Sequence, residues 1–280
     1  MKYFVINNFI HENFAKDLII EANKIINFDK EINIHKNRAF LSSTSISFNK
    51  LIKLSKSWDS LEKKINSEDF LKFCLDKVNV DKSKYCLKNY FKKKNLLKND
   101  IIYKKISESR VKLIPTLSIF KFLIYRIYKN FIRIIKYSKI FYPKKKPLEL
   151  LFDFSRAGNG YINDVHKDSN SRFVVFILYL NSLEINEHAS GGDFHVHRKI
   201  KDEKNLSTPI LNSYETIDVI KPAPGKLIIF LNEDDAYHSV NEMKNFDGYR
   251  YFLYGGFTFL SDKSENIKKE KSKTEFHLYD

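Results

Sequence analysis

The sequence predicts an α+β protein in which a helical first half supports a β-rich second half. All eight glycines lie at or beyond Gly158, and five of the six prolines lie at or beyond Pro143. The first 140 residues instead carry apolar residues at helical spacing, whereas the second half alternates short apolar runs with Gly, Pro, Asn and Asp. A chain of 280 residues, of which 43% are hydrophobic, is long and apolar enough to bury a core.

The N-terminal elements are predicted from residue spacing and from helix-capping residues. Residues 2–10, KYFVINNFI, predict an opening strand, and residues 11–26 have the apolar spacing of a helix. Two helix starts are predicted within residues 57–78, where Ser57 or Asp59 caps the first helix and Ser67 caps the second. We assign residues 1–83 to this strand and its supporting helices.

A strongly basic segment follows, which we assign to a helical insertion at residues 84–147. Between Lys84 and Lys146 the chain has 19 Lys and Arg residues against two acids, a net +17 that exceeds the whole chain's +15. Residues 118–141 predict an amphipathic helix whose basic side chains share an arc of about 140°. Two interpretations stay open: the apolar face packs on the domain, or the helix contacts an anionic surface. Nucleic acid is disfavoured because no nucleic-acid-binding module is recognised.

The second half predicts a β-sandwich or barrel. Seven short strands with turn residues between them are expected to close on each other and so protect their edges. The predicted strands are residues 149–155, 173–180, 193–197, 215–221, 226–231, 237–242 and 249–260. We assign residues 148–262 to this core and residues 263–280 to a charged tail.

One constellation in this half indicates metal chemistry. His166 and Asp168 form an H-x-D pair directly before the strand at 173–180, and His238 follows 72 residues after His166. Two histidines and one carboxylate can occupy one face of an octahedral Fe(II) and leave the other positions open. Arg250 comes 12 residues after His238 on a predicted strand. An inward-facing Arg is costly unless it is paired, and its planar fork suits a bidentate carboxylate ligand.

With the segments GGDFHV, PAPGKLIIFLN and YRYFLYGGF, these residues resemble the catalytic domain of the prolyl 4-hydroxylase-like 2-oxoglutarate/Fe(II) dioxygenases. The resemblance covers roughly residues 150–260 and implies a double-stranded β-helix, or jelly roll. It implies that His166, Asp168 and His238 bind Fe(II) and that Arg250 pairs with the distal carboxylate of 2-oxoglutarate. It further implies that Tyr179 donates to the same carboxylate, and it makes ascorbate a candidate further ligand.

The reaction that the resemblance implies is hydroxylation of an unactivated C–H by dioxygen, with decarboxylation of 2-oxoglutarate to succinate. Relatives that halogenate have a small residue in place of the carboxylate, so Asp168 favours oxygen insertion. The primary substrate stays open among a peptidyl proline, a glycan and a small metabolite. Tyr161 lies five residues before His166, further than expected in close prolyl hydroxylases, so the substrate side of the site is expected to differ.

The alternatives to this interpretation are a second metal cluster, a non-catalytic binding function and a metal-dependent isomerase of the cupin type. The isomerase would need more His ligands than are present here. Asp193, His195 and His197 alternate along one predicted strand, but a flat row cannot close a facial metal site without a partner. We therefore expect them to face solvent or the substrate rim, with Phe194 and Val196 facing inward. The alternative function is a non-catalytic jelly-roll binding protein that docks an anionic surface or ligand through residues 84–146.

The sequence also bears on location. The N-terminus lacks the features of a signal peptide, and no run of about 18 uncharged apolar residues predicts a membrane-spanning helix. Cys74 and Cys86 form neither a zinc-type spacing nor a disulfide scaffold. We therefore expect a cytoplasmic protein with reduced thiols.

Overall fold

The computed structural model describes residues 1–30, 32–35, 37–87, 146–182, 188–200 and 214–259. The chain divides into two compact units, residues 1–82 with 148–280 and residues 83–147. The predicted basic helix at 118–141, nearly all of the basic segment 84–146 and the charged tail 263–280 lie outside the described residues. The segment boundaries assigned from the sequence stay predictions.

Four α-helices and twelve strands occur among the described residues. The helices are α1 (Glu12–Ile25), α2 (Ile46–Leu54), α3 (Lys56–Ile65) and α4 (Glu68–Lys77). The strands are β1 (Tyr3–Ile6), β2 (Ile32–His35), β3 (Arg38–Ser42), β4 (Tyr85–Leu87), β5 (Lys146–Ala157), β6 (Asn163–His166), β7 (Arg172–Tyr179), β8 (Phe194–Lys199), β9 (Tyr214–Ile220), β10 (Leu227–Leu231), β11 (Tyr237–Val240) and β12 (Arg250–Phe259). The seven strands predicted for the second half are all present, with ends shifted by up to three residues.

The helices begin at side chains that accept hydrogen bonds from free backbone N–H groups. Ser67 caps α4, as predicted, and accepts from the backbone nitrogen of Phe70 at 3.1 Å. The prediction that Ser57 or Asp59 caps α3 is wrong, because Ser55 accepts from the nitrogen of Trp58 at 3.0 Å. The hydroxyl of Ser57 instead donates to Glu21 of α1 at 2.7 Å, so this serine holds two helices together.

The strands form two antiparallel sheets. The larger sheet runs in the order β1-β10-β7-β12-β5-β3-β2, and the smaller in the order β6-β11-β8-β9. This arrangement is the predicted double-stranded β-helix with helical support. Strands β2, β3, β4 and β6 were not predicted, and two of them, β3 and β6, contribute to the site described below.

The larger sheet is covered on both faces. On one face the helices pack through aromatic rings: Trp58 lies 4.4 Å from Phe154 and Phe70 lies 5.4 Å from Phe176, measured between ring centroids. On the other face, side chains of β7, β10 and β12 pack against Phe194 and Val196 of the smaller sheet. The space between the two sheets is therefore a closed apolar core, and any polar group within it needs a specific partner.

Two predictions about the environment of the chain can be compared with the structure. Among the described residues, no helix combines the length and apolar character needed to span a membrane. Cys74 and Cys86 are both buried, and neither is part of a disulfide bond. Burial raises the pKa of the Cys74 thiol, so that cysteine behaves as a small apolar core residue.

Candidate active site

Three side chains with metal-binding atoms meet at one edge of the smaller sheet. His166 ends β6 and pairs in register with His238 of β11, and their ring centroids lie 4.3 Å apart. Asp168 follows β6 by two residues. One ligand atom from each residue lies within 4.8 Å of the others, which is close enough for all three to hold one metal ion.

Both histidines have one ring nitrogen engaged by the backbone. Nδ1 of His166 lies 2.7 Å from the carbonyl oxygen of Asp164, and Nδ1 of His238 lies 3.1 Å from that of Ala236. A carbonyl can only accept, so each Nδ1 carries the proton and each Nε2 keeps its lone pair. Nε2 of His238 lies 4.0 Å from Oδ2 of Asp168. The backbone thus selects the tautomer that a metal ligand requires.

Asp168 presents one engaged and one free carboxylate oxygen. Its Oδ1 accepts a hydrogen bond from the hydroxyl of Tyr254 and lies 3.7 Å from Nη1 of Arg172. Its Oδ2 is buried and has no hydrogen-bond partner among the described residues. A buried carboxylate oxygen without a partner is costly, and a bound cation beside His238 would remove that cost. The three residues therefore fit a divalent metal.

The protonation state of His238 also fits. The pKa of His238 is lowered to about 4, mainly by burial. The nearby His166 also lowers this pKa, and its effect is larger than the opposing effect of the Asp168 carboxylate. At neutral pH the ring of His238 is therefore uncharged. Neutral imidazole is the form that binds a metal.

Arg250 is a buried cation whose donors are only partly used. It is the first residue of β12 and is 4% exposed. Its Nη1 donates to the carbonyl oxygen of Gly192, while its Nε has no partner within the described part of the chain. Burial lowers the pKa of Arg250, and the Tyr179 and Asp193 groups nearby oppose that shift. An anionic ligand would satisfy the unused donors of this guanidinium.

Arg250 and His238 line the same pocket between the sheets. Tyr179 lines it as well, and burial raises the pKa of this phenol, so its hydroxyl stays a donor at neutral pH. Tyr161, the residue at which the sequence departs from close prolyl hydroxylases, is another buried pocket residue. Ile177, Phe194 and Phe252 supply apolar walls. The pocket therefore connects His238 to Arg250 through a mostly apolar space.

Residues 152–257 match the model of the 2OG-Fe(II) oxygenase superfamily. This segment is a 2OG-Fe(II) oxygenase domain. The match spans β5 to β12 and includes all five residues singled out from the sequence: His166, Asp168, Tyr179, His238 and Arg250. The resemblance drawn from the sequence is confirmed for residues 152–257, and with it the enzyme class, a 2-oxoglutarate- and Fe(II)-dependent dioxygenase.

Solved structures also resemble the chain. A Pseudomonas putida prolyl-4-hydroxylase shares 13% identity with a TM-score of 0.43, covering 93% of this chain and 94% of that one. A Trichoplax adhaerens prolyl hydroxylase, solved with a hypoxia inducible factor peptide fragment, shares 12% identity with a TM-score of 0.39, covering 98% and 88%. IDO from Bacillus thuringiensis shares 14% identity with a TM-score of 0.40, covering 93% and 94%. A comparison with curated proteins finds no match.

Three further residues lie in the pocket or beside Asp168, and the sequence did not predict them. Arg38 of β3 lines the pocket and donates from Nε and Nη2 to the hydroxyl of Ser155, at 3.3 and 3.0 Å. Arg172 and Tyr254 both contact Asp168. Tyr254 could have been found, because it lies four residues after Arg250 and a strand places such residues on the same face.

One expectation for the smaller sheet is wrong. His197 does not face solvent or the substrate rim, since it is only 5% exposed. Its two ring nitrogens are satisfied inside the protein: Nε2 lies 2.7 Å from Oγ of Ser239, and Nδ1 lies 3.3 Å from Oγ1 of Thr216. Burial lowers the pKa of His197, and the neighbouring His195 lowers it too. Phe194 and Val196 do face inward and are fully buried, as expected. Asp193, His195 and His197 form no metal-type cluster within the described chain.

Proposed function

We propose that the protein hydroxylates an unactivated C–H bond of its primary substrate, with His166, Asp168 and His238 as the Fe(II) ligands. In the balanced reaction, dioxygen and 2-oxoglutarate react with R–H to give R–OH, succinate and carbon dioxide. The observation that carries this proposal is that Oδ2 of buried Asp168 has no hydrogen-bond partner among the described residues and lies 4.0 Å from Nε2 of His238. Iron held by these three residues would supply the activation of dioxygen.

Arg250 and Tyr179 are the proposed anchor for 2-oxoglutarate. Within the described chain the Nε of the guanidinium has no partner, and Tyr179 and Arg250 line the same pocket. A bidentate contact from Arg250 would hold the distal carboxylate in one orientation. The other end of the 2-oxo acid would then lie towards His238, which lines the same pocket.

The walls of the pocket have the second task, which is to exclude water and hold the substrate. Ile177, Phe194 and Phe252 are buried apolar residues that offer no hydrogen bonds to solvent. A dry, shaped site limits side reactions and places the reacting C–H near the metal position. Tyr161 is the residue where we expect this chain to differ from close prolyl hydroxylases in substrate choice.

The finer details stay predictions. A peptidyl proline, a glycan and a small metabolite are the proposed substrate classes, and ascorbate is the proposed reductant that keeps the iron in its ferrous form. Contact of residues 118–141 with an anionic surface, the alternative binding role of residues 84–146 and cytoplasmic location also stay predictions from the sequence. Succinate release measured across a panel of peptides, glycans and metabolites would identify the substrate class.

The decisive experiment is anaerobic titration of the purified protein with Fe(II) and 2-oxoglutarate. We expect the weak visible absorption band of an Fe(II)–2-oxo acid chelate, and we expect His238→Ala to abolish it. His195→Ala is the matched control, because His195 lies on the neighbouring strand β8 outside the metal cluster. A wild-type protein without the band, or a band that persists in His238→Ala, would overturn the proposal.

A further inference from the structure

Tyr254 is the residue that engages one oxygen of the metal-binding carboxylate. Its hydroxyl donates to Oδ1 of Asp168, while Oδ2 of the same carboxylate has no partner in the described chain and lies 4.0 Å from Nε2 of His238. We propose that Tyr254 is a positioning residue that turns Asp168 so that only Oδ2 is presented to the metal. This inference rests on the proposed role of Asp168 as an iron ligand.

The direction of the hydrogen bond follows from the two groups. An ionised carboxylate can only accept, so the phenol of Tyr254 must be the donor. A hydrogen bond to a charged oxygen is stronger than a neutral one and fixes the plane of the carboxylate. With Oδ1 held in this way, Asp168 is expected to bind a metal through one oxygen and to leave the remaining positions for 2-oxoglutarate and dioxygen.

Tyr254 is itself held rigidly. It lies in the middle of β12, where its backbone pairs with Asp153 of β5 on one side and Ile177 of β7 on the other. The guanidinium carbon of Arg172 lies 4.5 Å from the centre of its ring, and that of Arg38 lies 5.7 Å from it. Two cation–π contacts and two strand pairings leave the ring little freedom, as a positioning residue requires.

Arg172 supports the same arrangement from a second direction. Its Nη1 lies 3.7 Å from Oδ1 of Asp168, on the oxygen that Tyr254 already engages. Both contacts therefore favour the same orientation of the carboxylate. No described residue hydrogen-bonds Oδ2, which is the oxygen nearer to His238.

Strand β12 thus carries two separate tasks. Arg250, Phe252 and Tyr254 alternate onto one face of the strand and all three line the pocket. Arg250 is the proposed co-substrate anchor, while Tyr254 acts on the metal ligand. The spacing between them is fixed by the strand, so the metal and the co-substrate carboxylate are set at a defined separation by one element.

The test compares Tyr254→Phe with Tyr251→Phe. Tyr251 lies on the same strand, but its hydroxyl donates to Oδ1 of Asn23 at 3.0 Å, away from the cluster. Binding of Co(II) is measured by calorimetry without 2-oxoglutarate, and the visible spectrum of the bound Co(II) reports its coordination number. We expect Tyr254→Phe to weaken Co(II) binding about 10- to 100-fold and to change that spectrum, as loss of a partner behind a metal ligand typically does.

The outcomes separate this inference from the proposed function. Tyr251→Phe should keep the affinity within about twofold of wild type and leave the Co(II) spectrum unchanged. If Tyr254→Phe also binds within twofold with an unchanged spectrum, the positioning role is wrong while the metal site stands. If the wild-type protein binds no Co(II), or if His238→Ala binds it equally well, the metal site itself is wrong. Thermal unfolding of each variant, followed by circular dichroism, checks that the fold is intact.

Discussion

Arg250 donates its Nη1 hydrogen to the carbonyl oxygen of Gly192, and this contact holds the guanidinium inside the pocket. Gly192 has a φ of +78°, a backbone conformation that residues with a side chain rarely adopt. A Cβ at this position would lie 2.5 Å from Nη1 and 2.7 Å from Nη2 of Arg250. The glycine is therefore needed both for its backbone conformation and for the space that the arginine occupies.

Gly192→Ala is expected to weaken 2-oxoglutarate binding about tenfold, because the methyl group displaces Arg250 and breaks its bidentate geometry. Metal binding is expected to change by less than about twofold, because the mutation leaves His166, Asp168 and His238 untouched. Calorimetric titration of 2-oxoglutarate into the Mn(II)-loaded protein measures the first effect, and titration of Mn(II) alone measures the second.

Gly248→Ala is the matched control for this prediction. Gly248 has a φ of +82°, so the alanine carries the same backbone strain, but a Cβ there meets no atom within 4 Å. We expect this variant to lose some stability and to bind 2-oxoglutarate as the wild type does. Equal losses of affinity in the two variants would show that backbone strain, and not the position of Arg250, causes the effect.

His238 is expected to make the metal-free protein less stable as the pH falls from 6.5 to 4. Burial lowers the pKa of this imidazole from 6.5 to about 4, so within that window the unfolded chain binds a proton that the native protein does not. Within this window, protonation of His238 lowers the free energy of unfolding by about 1.4 kcal/mol for each unit by which the pH falls. Above pH 6.5 this group no longer changes the stability with pH. Urea unfolding at several pH values, with a chelator present, measures the slope.

The His238→Gln variant isolates that contribution. Glutamine does not titrate, so the difference in unfolding free energy between wild type and variant should change with pH only between about 4 and 6.5. His197, whose pKa is also lowered by burial, is present in both proteins and cancels. Parallel curves across this window would contradict a buried, neutral His238.

Trp58→Phe is expected to lower the free energy of unfolding by about 2 kcal/mol. The indole Nε1 donates to the carbonyl oxygen of Leu18 at 2.8 Å, and the ring lies 4.4 Å from that of Phe154. The variant loses this hydrogen bond and part of the ring contact in the core. Circular dichroism is the measurement, because Trp58 is the single tryptophan and its fluorescence disappears with it.

Tyr249→Phe is the control for the core prediction. Tyr249 is 44% exposed, so removal of its hydroxyl should change the free energy of unfolding by less than about 0.5 kcal/mol. A loss as small as this in Trp58→Phe would mean that α3 does not depend on the contact of its indole with α1.

The strands of the second half could be predicted because their signals are local. Apolar runs such as residues 173–180 are bounded by turn residues, and the ends of β7 at Arg172 and Tyr179 differ from the prediction by one residue each. The sequence also shows directly which strand each site residue adjoins. These residues are His166, Asp168, His238 and Arg250. The approach of His166 and Asp168 to His238, and of His238 and Arg250 to one pocket, then follows once the two sheets close on each other.

The contribution of the first half could not be predicted in the same way. Arg38 reaches the pocket only because β3 pairs with β5, which places Arg38 opposite Ala157. That pairing joins residues about 120 positions apart and leaves no periodic signal in the five residues of β3. The hydrogen bond of Tyr254 to Asp168 also depends on a long-range approach, in this case of β12 to the loop after β6.

The short strand β6 was missed for a different reason. Its four residues, Asn163–His166, are polar or exposed at most positions and lack the apolar alternation of the other strands. Strand β6 forms because His166 pairs with His238 of β11, so this strand depends on its neighbour in the sheet. The burial of His197 was missed likewise, since its partners Ser239 and Thr216 lie on two other strands.

A bound metal is expected to stabilise the fold as a whole, because its ligands come from β6, from the loop after it and from β11. Mn(II) at 100 times its dissociation constant should raise the free energy of unfolding by about 2.7 kcal/mol, provided that the unfolded chain does not bind it. Asp168→Asn keeps the shape of the side chain but removes its charge, and should abolish the response. His195→Ala should retain the full response, since His195 lies outside the cluster. Urea unfolding with and without Mn(II) measures all three proteins, and an equal response in Asp168→Asn would place the metal elsewhere on the chain.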